Sequence, residues 1–381
     1  MNNIISSKSR SRTSAQITAS GELIIPNGTK TIKQCEYCNN NDITSVVIPD
    51  SVTKISRYAF ENCCRLSYIK GGNGIKEISK GAFSGTALKE VILPRSLQYV
   101  REKAFSACYQ LKTVDFDGDN CVIEPMCFYN CAELHTVLLP MNMIEIPDGL
   151  FSLCSNLESV VVSPNLKKIG INAFMCCNAL KCIDTYTLSG HNGLVIPHSV
   201  ISIGVGAFIG CTSLNDVTIG DSITNISADA FVCCSNLASI KMGDSVSIID
   251  DGAFDGCSNL QNVVIPDSVR RIGCWAFQDC SSMEDITIGD SVINIGKEAF
   301  MNCSGLKRVN IPESVSYIEM CAFRGCKGLD HITFEGMTNM DVNGDVFSQC
   351  TALKAINVPK RHLEYYRVIL PMDLHGKLAG Y

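Results

Sequence analysis

Phe returns along the chain at positions 60, 83, 105, 128, 151, 174, 208, 231, 254, 277, 300, 323 and 347, in steps of 23 residues apart from one step each of 22, 34 and 24. Other apolar residues keep fixed distances from it. Ile or Val stands five before each Phe, as at Ile55, Ile249 and Val342, and an apolar residue stands eight before except at Asn120 and Asn339. Leu or Met follows at six and Ile or Val at nine, as in Leu260 and Val263 after Phe254, except in the Phe83 copy, which is one residue short and has Leu88 at five. Ala precedes the Phe in ten of the thirteen copies; Cys127, Leu150 and Val346 are the exceptions. Upstream, Tyr37 takes the Phe position and Ile25-Pro26 the place of Ile48-Pro49, so there are fourteen units and the first is degenerate. A fixed period of this length is the mark of a stacked repeat.

Neither a helical nor a strand period fits the whole unit, which therefore reads as a coil with several short faces. The segment Leu260 to Ile265 alternates inward and outward side chains, is rich in β-branched residues and ends at Pro266, which predicts a short strand. Identical strands repeated every 23 residues can pair only in parallel, about 4.8 Å apart, so the coils build an elongated stack. The Ile-Pro-Asp-Ser-Val pieces make a corner, because Pro cannot extend a ladder and Asp or Ser can bond the local backbone. A second extended stretch runs from Val269 to Ile272, and Ala276-Phe277 opens the next corner, predicted as a helical or 3₁₀ turn closed by Cys280. Ordering 23 residues costs more than burying about five large apolar groups at roughly 1.5 to 3 kcal/mol each returns, so no coil is stable alone.

The motif Ile-Pro-Asp-Ser-Val-x-x-Ile-x-x-x-Ala-Phe-x-x-Cys-x-x-Leu-x-x-Val, legible from Ile265 to Val309, resembles the BspA-like, or treponemal-type, leucine-rich repeats over residues 21 to 358. The resemblance implies an α/β, β-rich solenoid: a right-handed superhelix of about 14 coils of 23 residues with a parallel sheet on its concave face. It also implies a protein-binding role, often at a cell surface against host or matrix proteins. Val358-Pro359-Lys360 and the polar run to Tyr366 resemble the family's capping helix, which assigns 359–381 as a C-terminal cap. Residues 1–20, rich in Ser and carrying Lys8, Arg10 and Arg12 without an acid, read as a mobile basic tail.

Composition narrows the function. With 32 Lys and Arg against 38 Asp and Glu the net charge is −6, which disfavours general nucleic-acid binding. No apolar run reaches the roughly 18 to 20 residues of a membrane span, and the opening lacks the apolar core of a secretory signal, so the expected location is cytoplasmic, with the cell surface by an unrecognised route as the alternative.

Candidate chemistry is sparse. Twelve of the 22 Cys share the position three after Phe and form a column. Disulfides or metal are conceivable there, but column side chains point the same way, and the preferred reading is a small buried residue whose thiol meets a carbonyl. Cys35 and Cys38 form a lone CxxC without the further ligands zinc needs, which leaves metal or redox chemistry the minor alternative to a degenerate first repeat. The glycines from 204 to 210 coincide with repeat positions and carry no dinucleotide signal, and Asp115, Asp117 and Asp119 lack the Gly and the final Glu of a calcium loop. None of the six His recurs beside a nucleophile and an acid, so neither an enzyme nor a cofactor is expected.

The 34-residue step adds eleven residues around 184–194, including Tyr186, Ser189 and His191; either Ile183 or Leu194 could continue the strand. Tyr186 and His191 are candidate contacts of this loop. On the sheet, outward residues alternate with the buried ones: Tyr68 and Lys70, Glu90 and Ile92, Thr113 and Asp115, Thr136 and Leu138, Ser159 and Val161. A broad, partly apolar strip of this kind suits a protein partner better than a small molecule. The expected function is therefore a non-enzymatic interaction scaffold, with a surface adhesin as the alternative.

Overall fold

A computed structural model describes residues 15–185, 193–336, 341–342 and 345–381. The chain forms a β-solenoid of about fifteen turns in which each coil gives one longer and one shorter strand. Both kinds pair in parallel with the partner one repeat away: Thr113 opposite Thr136, Val114 opposite Val137 and, among the short strands, Ile272 opposite Ile295. Alternation fixes which side chains face in. Val91, Val114, Val137 and Val160 are buried, while Ile92 and Leu138 between them are 65% and 46% exposed.

The recurrent aromatic is the spine. Tyr37 and the thirteen Phe rings stack in sequence, with centroids 5.1 to 6.0 Å apart and planes within 23° of parallel. The 34-residue step does not interrupt it, since Phe174 and Phe208 lie 5.4 Å apart. Ile183 and Leu194 both become buried sheet positions: Cys182–Thr185 pairs with the preceding strand, Ser159–Val162, and Leu194–Val195 pairs with the following one, Asp216–Thr218. The two were ambiguous as sequence because each has a proper neighbour on only one side.

The corner holding the Phe is not helical. Residues two before and two after it take the left-handed conformation, as in Tyr58 and Asn62 (φ 56° each) and in Trp275 and Asp279 (φ 57° and 56°), which breaks any helical run. Backbone donors then alternate. The N–H groups of Ala59, Glu61 and Cys63 close tight turns onto Ser56, Tyr58 and Phe60, whereas those of Tyr58, Phe60 and Asn62 reach the carbonyls of Lys80, Ala82 and Ser84 in the next coil at 2.8 to 3.0 Å. The corner is thus a third ladder between coils, and it needs left-handed residues to aim alternate groups along the stack.

The column cysteines serve the same corner. Each thiol donates to the carbonyl of the preceding coil's aromatic, from Cys63 on Tyr37 to Cys131 on Phe105, Cys257 on Phe231, Cys280 on Phe254 and Cys350 on Phe323, at 3.0 to 3.3 Å. Burial pushes the Cys108 thiol up to about 11, so the reactive thiolate is scarce. Cys35, Cys64 and Cys233 are exposed. Alkylation of the native protein, read by peptide mass spectrometry, is expected at these three first, with Cys257 labelled only after denaturation; rapid native labelling of Cys257 would show an open corner.

Asp255 illustrates an electrostatic cost. Burial, then the carboxylates of Asp279 and Asp229, push its carboxyl up to about 6. A folded value above the unfolded one means that ionisation opposes folding: the cost is full above pH 6 and vanishes as pH falls below the ordinary Asp range. Asp255→Asn is expected to stabilise the protein at pH 7.5 by about 1 kcal/mol after solvent screening of a part-exposed carboxylate, with no gain left near pH 3.5. Thermal melts at the two pH values check it.

Both ends of the stack are covered. Gln16–Ile17 folds back antiparallel on Glu22–Ile24, so residues 16 to 20, placed in the tail by sequence, form a hairpin. At the other end a short 3₁₀ turn, the helix Leu363–Ile369 and a second 3₁₀ turn lead to the strand Leu378–Gly380, which pairs in parallel with Ile356–Val358. Tyr366 of that helix is buried 4.9 Å from the Phe334 ring and donates its hydroxyl to the Gly336 carbonyl at 2.8 Å. Among the described residues no helix is long and apolar enough to cross a membrane.

Candidate binding face

The long strands present one face to the core and the other outward, and no described segment lies over the outward one. Glu90, Thr113, Thr136 and Ser159 stand opposite one another on consecutive strands, and so do Ile92 and Asp115, and Leu138 and Val161. These eight predicted contacts share one five-stranded sheet that ends at Cys182–Thr185. Thr136 and Ser159 bond through their hydroxyls at 3.2 Å, while Glu90 and Asp115 make no ion pair. The short-strand side differs: there Lys54 meets Glu77, Arg101 meets Glu124 and Lys168 meets Glu145, at 3.1, 2.6 and 2.6 Å, so its charges neutralise one another. On the five-stranded sheet the exposed apolar Ile92 and Leu138 stand beside polar side chains that a partner can satisfy. Tyr186 and His191 lie outside the described residues.

Tyr68 and Lys70 belong to a different sheet. Tyr68–Gly71 pairs with Ser45–Ile48 on one side, but no strand pairing joins it to Glu90–Leu93 on the other. The short strands remain paired at this level, Ile78 opposite Val100, and the Phe83 and Phe105 rings stay stacked at 5.4 Å. The split is therefore confined to the long-strand face.

Two local departures from the repeat produce it. The Phe83 copy has one residue fewer before its Leu, and Leu88 lacks the tight-turn bond that Leu66 makes to Cys63 and Leu111 to Cys108 at 2.9 and 3.0 Å. Gly71 occupies the position eleven after Phe, where neighbouring coils place Ile48 and Leu93 in the core. It is followed by Gly72, and both adopt φ of 83°. Sequence reasoning noted the short copy but not the glycine; an empty slot in an otherwise apolar column was the available signal.

A family model described as BspA type leucine rich repeat region matches the chain in overlapping stretches at 16–131, 76–192, 184–304 and 247–367. The chain belongs to the BspA-type leucine-rich repeat family. Among solved structures it is similar to a leucine-rich repeat protein from Bacteroides ovatus, with a TM-score of 0.77 at 27% identity over 95% of this chain and 94% of that one. A leucine rich cell surface protein from Faecalibacterium prausnitzii superposes with a TM-score of 0.52 at 25% identity, covering 93% and 95% of the two chains. The pneumococcal vaccine antigen PcpA shares the fold at 0.52 and 18% identity, over 89% of this BspA-type chain and 79% of its own. No curated sequence matches this one.

Proposed function

We propose that this BspA-type solenoid is a non-enzymatic scaffold that binds a protein partner through its long-strand face. The observation carrying the reading is the outward row on the five-stranded sheet, in which exposed Ile92 and Leu138 alternate with Thr and Asp side chains that have no ionic partner. Such a surface offers apolar area with hydrogen-bonding groups at its margins and no pocket of converging catalytic groups. Among the described residues there is no cluster of three or more His, Cys, Asp and Glu that could hold a metal. A photoreactive amino acid at position 138 or 161 is expected to crosslink one protein reproducibly in the native cell, and the same group at Lys167 on the short-strand side is not. Equal crosslinking from both sides, or none from the sheet, would contradict the reading.

The second reading is an adhesin at the cell surface, favoured by the similarity to the Faecalibacterium cell surface protein. The sequence-based expectation is a cytoplasmic location. Protease shaving of intact cells separates them: loss of the solenoid from unpermeabilised cells supports the adhesin, and its survival supports an internal scaffold.

A further inference from the structure

The split between Tyr68–Gly71 and Glu90–Leu93 opens a cavity of about 210 Å³ that runs from the sheet face into the core. Its floor is apolar, formed by Ile55, Ile78, Phe83 and Phe105, all of them buried. Its mouth carries Lys70 and Glu90, exposed and without ion pairs or side-chain hydrogen bonds, together with the unpaired edges of the two strands. Cavities of about 150 Å³ lined by such side chains take up benzene, so the space suffices for one aromatic ring or branched aliphatic chain.

Several destabilising choices coincide here. The coil gives up an inward side chain at Gly71, a strand pairing and a tight turn, and it adopts consecutive left-handed glycines. A β-carbon on Gly71 would lie 2.4 Å from the Ile48 carbonyl oxygen, so the gap cannot be closed there without moving the backbone. Departures that weaken a fold at one place, while the spine beside them stays regular, are characteristic of a functional site.

We propose that this cavity is a binding pocket for a small amphipathic molecule. Its aromatic or branched-aliphatic body rests against Phe83, and a hydrogen-bonding head lies at the mouth between the free strand edges. The pocket adjoins the proposed protein-binding face, whose Glu90 and Ile92 also line it, but its apolar floor is interior.

The test uses the full chain with indole in solution and xenon under pressure in crystals. Expected are one saturable indole site, xenon between Phe83 and the Gly71 strand, and at least a tenfold loss of indole affinity in Val91→Phe, which fills the cavity while retaining a cooperative melt. Should that variant not fold, Ile75→Phe fills the space from the opposite wall with the same expectation. Absence of xenon there overturns the proposal. So does xenon without saturable indole binding, which would mark a mere void, and so does indole binding unaffected by the filling variants.

Discussion

Phe254→Ala is expected to cost about 3 to 5 kcal/mol, a large fraction of the stability of an ordinary domain. The ring is fully buried and stacked on both sides, 5.4 Å from Phe231 and 5.2 Å from Phe277. Truncation removes its own apolar area and leaves a cavity whose walls, the neighbouring rings, are held by their own coils and cannot collapse inward. Because each coil contacts only its neighbours, the loss is expected as a separate, earlier unfolding step and not as a uniform shift of one transition. Chemical denaturation followed by amide exchange detects it; a change below about 1 kcal/mol would mean that the ring contributes little packing.

Tyr366→Ala is the second large effect, at about 3 to 4 kcal/mol, because it withdraws the buried anchor of the C-terminal cap. Two contributions are separable. Tyr366→Phe keeps the contact with Phe334 and loses only the hydroxyl donated to Gly336, at a cost of about 1 kcal/mol. Once the cap is loose, the strand Leu378–Gly380 no longer shields Ile356–Val358, and the free edge is a template for another chain. The alanine variant should therefore elute from size exclusion as oligomers that the phenylalanine variant does not form. A monomeric alanine variant with an unchanged melt would show that the cap is dispensable.

Much of this architecture was legible because a solenoid repeats its physics in every coil. The offsets of Ile, Val and Leu from each Phe identified strands and inward positions, and Tyr37 declared itself as the first ring by spacing alone. What escaped had no repeated signal behind it. The corner reads in sequence as a helical or 3₁₀ turn, yet its backbone depends on left-handed residues two before and two after the Phe, among them Lys103, Met126 and Trp275 as well as Asn and Gly. Leu378–Gly380 pairs through its backbone and has no alternation of its own to announce it. The outward rows on the sheet followed from alternation, but their division at Gly71 depended on a missing side chain, which pattern reading passes over when it counts only what is present.

The central claim is that consecutive rings form one continuous spine beneath an open sheet, and a double-mutant cycle tests it most directly. Phe254→Leu combined with Phe277→Leu should show a coupling of about 0.5 to 1.5 kcal/mol, as expected of stacked rings. Phe254→Leu combined with the remote Phe105→Leu should be additive within about 0.5 kcal/mol. Additivity for the adjacent pair, or equal coupling for both pairs, would contradict the stacked spine.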